Sequence, residues 1–424
     1  MMVYYGLLLY FMLEYIRPGS YVPALNALHL NSIVPVTVLL GALLRKGEVK
    51  VSKALSSMNA RWVLYLLFLM VISGLTCDVK MYALLKFEAV IGYFFIFLVI
   101  KKEVYDLNRM KGVLATLVFV HLVVGALTPE MFSGDGERHY IASGSFLGDG
   151  NDFALSVNIA VPFCLFLMLE AQSVTKKLFY GGTLAVLVLA VVATQSRGGI
   201  LALAFVGFYY WVKHDRKILG VIGIAIVVAF ILVVAPPQFF DRMETLTQTG
   251  EKMEGSAQGR ILAWTSAVRM AADHPFLGVG AGHFPVKYGA EYPPEGYRKN
   301  AIPWQTAHSS YFLLLGELGI PGIIFLLGLI VSNLVAGERT LRKAKPRSPN
   351  SDMTSRNLVI ALNASLIAFM VGGAFLSGTY YPHIYLLAAL LECGRDICLK
   401  SFVAETVAHG SVNAVPLAYR GAKT

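Results

Sequence analysis

The chain is punctuated by apolar runs, near residues 2–16, 31–45, 62–77, 82–100, 112–128, 153–170, 178–195, 198–213, 218–235, 308–336, 358–376 and 379–394. A helix needs about 20 apolar residues to cross the hydrocarbon core of a bilayer, and most of these runs approach or exceed that length. No soluble fold can bury so many of them. Composition agrees: of 424 residues, 56% are hydrophobic and 15% charged, and the mean hydropathy is +0.62. The runs are continuous rather than alternating, so each closes its own backbone hydrogen bonds as a helix, and a β-barrel is not indicated. The expected fold class is all-α, a polytopic transmembrane helical bundle of about 12 spans. The first run is short and carries Glu14. It lacks a basic leader and a small-residue cleavage site, so it reads as a retained span rather than a signal peptide. The tenth is long, and its "GIPG" with Pro321 predicts a kink or an extension beyond the bilayer.

The formal net charge of +10 would suit a nucleic-acid partner, but its placement argues for topology instead. With the N-terminus in the cytoplasm, the connections "RKGEVKVSK", "KKEVYDLNRMK", "TKK", "KHDRK" and "ERTLRKAKPRSPNSDMTSR" all fall inside. The opposite side receives the net-acidic "TPEMFSGDGERHYIASGSFLGDGND" and the turn "SGTYYPH". That is the positive-inside pattern, and it leaves nucleic acid little to explain. The chain then divides into spans 1–9 over 1–235, a large extracytoplasmic loop over 236–307, spans 10–12 over 308–394, and a cytoplasmic tail over 395–424. The loop lies between spans 9 and 10 and is too long for an idle connection. Within it, "GRILAWTSAVRMAAD" places Ile261, Trp264, Val268 and Ala271 at helical spacing, which predicts an amphipathic helix on the bundle or the outer membrane face.

Several polar residues are not explained by crossing a membrane. Arg197 sits in the break of "LAVLVLAVVATQSRGGILALAFVGFYYW", on the side where no basic residue is needed for topology. "RGG" opens the next helix, and a guanidinium beside a helix N-terminus is a good anion host. An arginine reaching for lipid phosphate would look the same. Arg260 opens the amphipathic helix, where it is either a second anion contact or a solvated charge. His308 precedes the tenth span, either as a base near neutral pH or as an interfacial residue. Together they offer two cations for a diphosphate and one imidazole to deprotonate a hydroxyl. Lys86, beside Glu88 near the outer end of the fourth span, is a further substrate contact or a structural ion. Asn151, with Asp149 and Asp152, either meets substrate or caps the sixth span. Tyr288, Tyr292, Tyr297 and Trp304 can stack on sugars or form an interfacial belt. Glu317, counted along a helix from His308, points away from it and reads as structural. Cys77, Cys164, Cys393 and Cys398 show no metal-ligand spacing and read as buried thiols. No carboxylate cluster, P-loop or HExxH is present, so neither a metal nor a nucleotide cofactor is expected.

Three blocks resemble the O-antigen ligase and O-antigen polymerase C-terminal superfamily. "TQSRGGILAL" is similar to its Ser-Arg-Gly-Gly signature. "GRILAWTSAVRMAADHPFLGVGAGHFP" is similar to its outer-loop motif. "AHSSYFLLLGELGIPGIIFLL" is similar to its His-Asn-x-Tyr-Leu-x-x-x-x-E-x-G motif. "SGSFLGDGNDFALSV" resembles a further segment, so the likeness runs from about 145 to 330. Ser309 stands where the family often has Asn, and Gly150 where it often has Pro. The resemblance implies an enzyme of the bacterial inner membrane. It would transfer a glycan from a polyprenyl diphosphate carrier to an acceptor hydroxyl on the periplasmic side, without metal and with inversion. It further implies that Arg197 and Arg260 hold the diphosphate and that His308 activates the acceptor. The acceptor, whether lipid A-core, a growing glycan or a protein, stays open. A lipid-linked glycan transporter is the reading from another class. It would place its charges near the midplane between repeats, which these residues do not follow.

Overall fold

A computed structural model describes residues 1–45, 49–129, 146–213, 217–235, 239–240, 255–300, 305–344 and 353–408. Among these residues the structure is helical, with no strand. The longer helices are α1 (Met2–Ile16), α2 (Leu30–Leu44), α3 (Met58–Thr76), α4 (Lys80–Glu103), α5 (Leu107–Ala126), α6 (Gly150–Leu169) and α7 (Val174–Ala193). There follow α8 (Arg197–Lys213), α9 (Lys217–Val234), α10 (Gly255–Asp273), α11 (Phe284–Ala290), α12 (Ser310–Lys343), α13 (Thr354–Gly372) and α14 (Pro382–Ala408). Every apolar run of the sequence falls on one of them. By length and hydropathy, 8 candidate membrane spans qualify among the described residues. The helices at the first and eighth runs have 15 and 17 residues, the one at the twelfth carries more charge than that standard admits, and the ninth run holds a shorter apolar helix, Gly220–Val233.

α6 and α13 form the centre, with 83% and 72% of their most apolar stretches buried. α6 packs on α5, α7 and α13, while α13 also meets α8 and α14. α9 turns Val221, Ile222, Ile226, Val228, Leu232 and Val233 outward. A helix apolar on its exposed face has lipid, not water, as its neighbour. The opposite end from the candidate site is fastened by buried polar groups. Asn59 and Asn333 exchange amide hydrogen bonds, the Glu392 carboxylate accepts from the Asn59 backbone N–H, and Lys101 pairs with Glu392 at 3.2 Å. Such ions are tolerated away from water only when paired. α14 runs on to Ala408, with Arg395, Ile397 and Cys398 buried. The four cysteines are free and buried.

α10 packs on the bundle, one of the two placements expected for it. Its buried residues are Ala263, Ser266, Ala267, Met270 and Ala271, whereas Ile261 and Val268 are exposed. Small side chains, not large ones, let this helix lie close against α12, and Ile261 and Val268 flank the contact. α12 bends as expected, but at Gly319 (φ 66, ψ −157), two residues before Pro321. Proline disfavours helical geometry in the residue before it, and the glycine absorbs the turn.

Candidate functional site

α8 begins at Arg197, one residue after Ser196, whose hydroxyl accepts from the Gly199 N–H at 3.1 Å. That is an N-cap contact. A Cβ on Gly199 would stand 2.9 Å from Ala154 Cβ of α6, and Asn158 donates its amide to the Gly199 carbonyl at 3.0 Å. A Cβ on Gly198 would stand 3.0 Å from Phe375, in the short turn after α13. The "GG" therefore lets the start of α8 wedge between α6 and that turn. Arg197 remains half-buried at the lip.

The same turn receives α12. Ser310 donates its hydroxyl to the Leu376 carbonyl at 2.7 Å and accepts from the Gly378 N–H at 3.0 Å. Thr306 and Ser377 share a hydroxyl contact at 2.8 Å, and the Tyr311 hydroxyl donates to the Met370 carbonyl at 2.8 Å. Ser309 caps α12, so the helix starts after His308, which lies half-buried in the left-handed region at φ 48. The rotation counted from His308 to Glu317 therefore does not apply. Gln195, two residues before Arg197, has the same φ of 48. Non-glycine residues are rarely held this way, and where they are, a functional site is often close.

α10 brings in Arg260. A Cβ on Gly259 would stand 3.6 Å from the Gln305 side-chain nitrogen, Trp264 donates its indole N–H to the Ala307 carbonyl at 2.9 Å, and its ring stacks on Phe312 at 5.0 Å. The half-buried Arg260 thus stands on the helical turn that runs beside 305–307. Arg197, Arg260 and His308 come to one end of the bundle, around 305–310 and 373–379. Lys86 lies across the next turn, with its ammonium 5.7 Å above the Tyr380 ring. Asn151 is half-buried in the first turn of α6 but does not cap it; Asp149 does, accepting from the Asn151 N–H at 2.8 Å. Asp152 instead faces Tyr381, whose hydroxyl lies 3.5 Å from Oδ2. Trp304 lies outside the described residues. Tyr288 and Tyr292 are buried, which removes them as sugar platforms, while Tyr297 is exposed. Among the described residues, no group of three or more His, Cys, Asp or Glu side chains is placed to hold a metal ion.

Sequence reasoning missed what holds these pieces together. Glu317 is fully buried and accepts from the Gly282 N–H (2.8 Å), the Phe284 N–H (3.0 Å) and the Tyr380 hydroxyl (2.6 Å). Val279 and Gly280 donate backbone N–H groups to the Gly316 and Glu317 carbonyls, and Ile320 donates to the Pro275 carbonyl. The outer segment "HPFLGVGAGHF" is thus plugged into the bend of α12. The turn 376–381 closes the assembly, since it touches both Ser310 and, through Tyr380, Glu317.

Residues 182–327 match the family model described as O-antigen ligase. The match supports placement in the O-antigen ligase superfamily. It covers the Arg197 signature, the outer segment, His308 and the bend of α12, the parts the geometry draws together. The likeness supports ligase- or polymerase-type glycan transfer in general. No curated protein matches the chain.

One tether at this end is sensitive to pH. Lys287 pairs with Asp78 and with Glu291 at 2.5 Å each. The Lys287 ammonium, by hydrogen bond and charge, holds the exposed Asp78 carboxyl below its usual range. Burial works against the charge on Lys287, but Asp78 and Glu291 outweigh it and raise its pKa. A lowered acid pKa gives a contribution present above the unfolded value and lost as pH falls through the folded one. A raised lysine pKa gives one lost only as pH rises past the usual range. Protease protection of 274–291 is expected to hold between about pH 5 and 9 and to weaken below about pH 4. The effect is modest, as for exposed pairs generally. Asp78→Asn should remove the acid-side dependence; an unchanged dependence in that variant would dismiss the tether.

Proposed function

We propose that this protein transfers a glycan from a polyprenyl diphosphate carrier to an acceptor hydroxyl at the periplasmic face of the bacterial inner membrane. The observation that carries the reading is the convergence of Arg197, Arg260 and His308 on the 305–310 and 373–379 turns, within the segment matched to the O-antigen ligase family. Glycosidic cleavage leaves charge on the diphosphate, and aimed cations lower that barrier most effectively where water is scarce. Arg197 and Arg260 take this role, because a guanidinium fork matches phosphate oxygens two at a time. The His308 imidazole accepts the proton of the attacking hydroxyl. The oxygen attacks the anomeric carbon opposite the departing diphosphate, which inverts that centre. Lys86, Asn151 and Trp304 take further contacts with the donor. Twelve spans with both termini in the cytoplasm put the three residues on the periplasmic side.

Ligation to lipid A-core is the preferred acceptor reading. Polymerisation and protein O-glycosylation share the donor and the chemistry. The test is transfer by purified protein from a polyprenyl diphosphate-linked oligosaccharide to lipid A-core, glycan and protein acceptors, with EDTA present. The acceptor that gains the mass of the glycan names the activity. Donor binding without transfer to any acceptor would point to transport instead. Loss of transfer in EDTA, restored by a divalent cation, would overturn the metal-independent mechanism.

A further inference from the structure

A groove of about 360 Å³ opens at the same end of the bundle, between the turn joining α3 to α4 and the segment after α10. Its lining includes Thr76, Asp78, Asp273, His274, Phe276 and Lys287. None of these is used by the mechanism above. We propose that this groove binds neutral sugar units of a substrate glycan, at a distance from the reacting unit. The proposal rests on the glycan-transfer reading and adds a second point of substrate contact to it.

Four observations support the assignment. The volume lies within the roughly 300–1,000 Å³ typical of small-molecule sites. The walls are fixed before any ligand arrives. Ser73 donates its hydroxyl to the Leu277 carbonyl at 2.9 Å, Ile320 N–H donates to the Pro275 carbonyl at 2.8 Å, and Tyr292 holds one Asp273 oxygen at 3.0 Å. The lining chemistry suits sugars, because carboxylates accept hydroxyl protons while an ammonium and an imidazole donate. Phe276 is 73% exposed, and an aromatic ring bared on a polar loop offers a face for the C–H side of a pyranose. The charge decides the class of sugar. Two carboxylates against one ammonium favour neutral units and repel phosphorylated ones, the opposite of the Arg197–Arg260 region.

The groove is also offset from the reacting centre. It shares Pro275 with Ile320, which lies twelve residues along the chain from His308. At helical rise that is at most roughly 18 Å. An oligosaccharide of a few units is long enough to reach both points.

The experiment measures saturation transfer from the full-length protein in detergent to an array of neutral and phosphorylated oligosaccharides, including glycan released from the donor and from the acceptor. Neutral oligosaccharides should bind the wild type, and Phe276→Ala and Asp273→Asn should each weaken that binding about tenfold. Arg197→Ala should leave it unchanged. In the transfer assay the groove variants should raise KM with little change in kcat. Whether the donor or the acceptor glycan saturates tells which substrate uses the groove. Binding that ignores both groove variants, or no binding by any neutral oligosaccharide, would overturn the proposal. If sugars bind as expected and no transfer occurs, the reaction reading fails while the groove stands. If transfer proceeds and KM is unmoved in the variants, the groove fails while the reaction stands.

Discussion

Arg197→Ala is expected to reduce glycan transfer by roughly 10²–10³-fold, the usual loss when one aimed donor to a developing anion is removed. The helix should survive, since the Ser196 cap and the Gly198 and Gly199 contacts do not use the guanidinium. Arg197→Lys keeps a cation but loses the two-pronged fit to phosphate, so it should recover only part of the rate. The division between kinetic constants carries further information. A fall in kcat at unchanged KM means that Arg197 acts on the departing diphosphate. A rise in KM alone means that it only anchors the donor. The exposed Arg298 of the same loop provides the control, and its alanine variant should stay within about twofold, as expected for a surface substitution away from the site. His308→Ala is expected to cost 10²–10⁴-fold and to flatten the neutral-pH limb of the rate profile. Arg197→Ala as active as wild type, with an unchanged melting temperature, would leave the residue a helix anchor and remove the central support of the proposed mechanism.

The sequence carried the helices well because the bilayer leaves few alternatives. Continuous apolar runs must be helical, and each run here lies on a helix. The three motif residues stood out for another reason: each is a charge or base where topology asks for none. What the sequence could not display was distance in three dimensions. Nothing in "FLSGTYYPH" marks it as the turn on which α8 and α12 converge, because Phe375 packs on Gly198 and the Leu376 carbonyl and Gly378 N–H bind Ser310. Glu317 looked structural by rotation. That was the right kind of role reached by a count that His308, at φ 48, does not permit. The spacing in α10 marked an amphipathic helix but not which residues meet the bundle. Close helix contact selects small ones, and Ala263, Ser266, Ala267 and Ala271 take that place. One signal for the outer segment was present but unread. "GVGAG" neither follows a strand nor opens a βαβ unit, so it is no dinucleotide fingerprint, yet glycines so dense in a loop call for positive φ or close backbone approach.

That close approach makes Gly278→Ala the most damaging small substitution expected in this chain. Gly278 has φ +58, and a Cβ there would lie 2.2 Å from the backbone carbon of Glu317 and 2.4 Å from the Leu318 nitrogen. Both obstacles are backbone at the bend of α12, so no rotamer relieves the clash. Gly319 is constrained from the other side, since its Cβ would meet the Pro275 carbonyl oxygen at 2.4 Å. Overpacking and backbone strain together should cost about 3 kcal/mol or more. The expected result is release of 274–284 from α12, read as fast amide exchange there while α6 and α13 stay protected. Glu317→Gln tests the same joint by chemistry instead of size. One carboxylate oxygen accepts from Gly282 and Tyr380, and the other accepts from Phe284. Whichever way the amide is turned, its NH₂ confronts a donor, so a buried N–H loses its partner at about 1–3 kcal/mol. Tyr380→Phe withdraws only one donor and leaves Glu317 two, so it should be the mildest of the three. If exchange of 274–284 is as slow in Gly278→Ala as in wild type, the segment is not seated against α12 as described. If Glu317→Gln is also silent, the carboxylate does not organise this end of the bundle. If both loosen the segment and transfer falls with them, the joint positions the outer loop for the reaction.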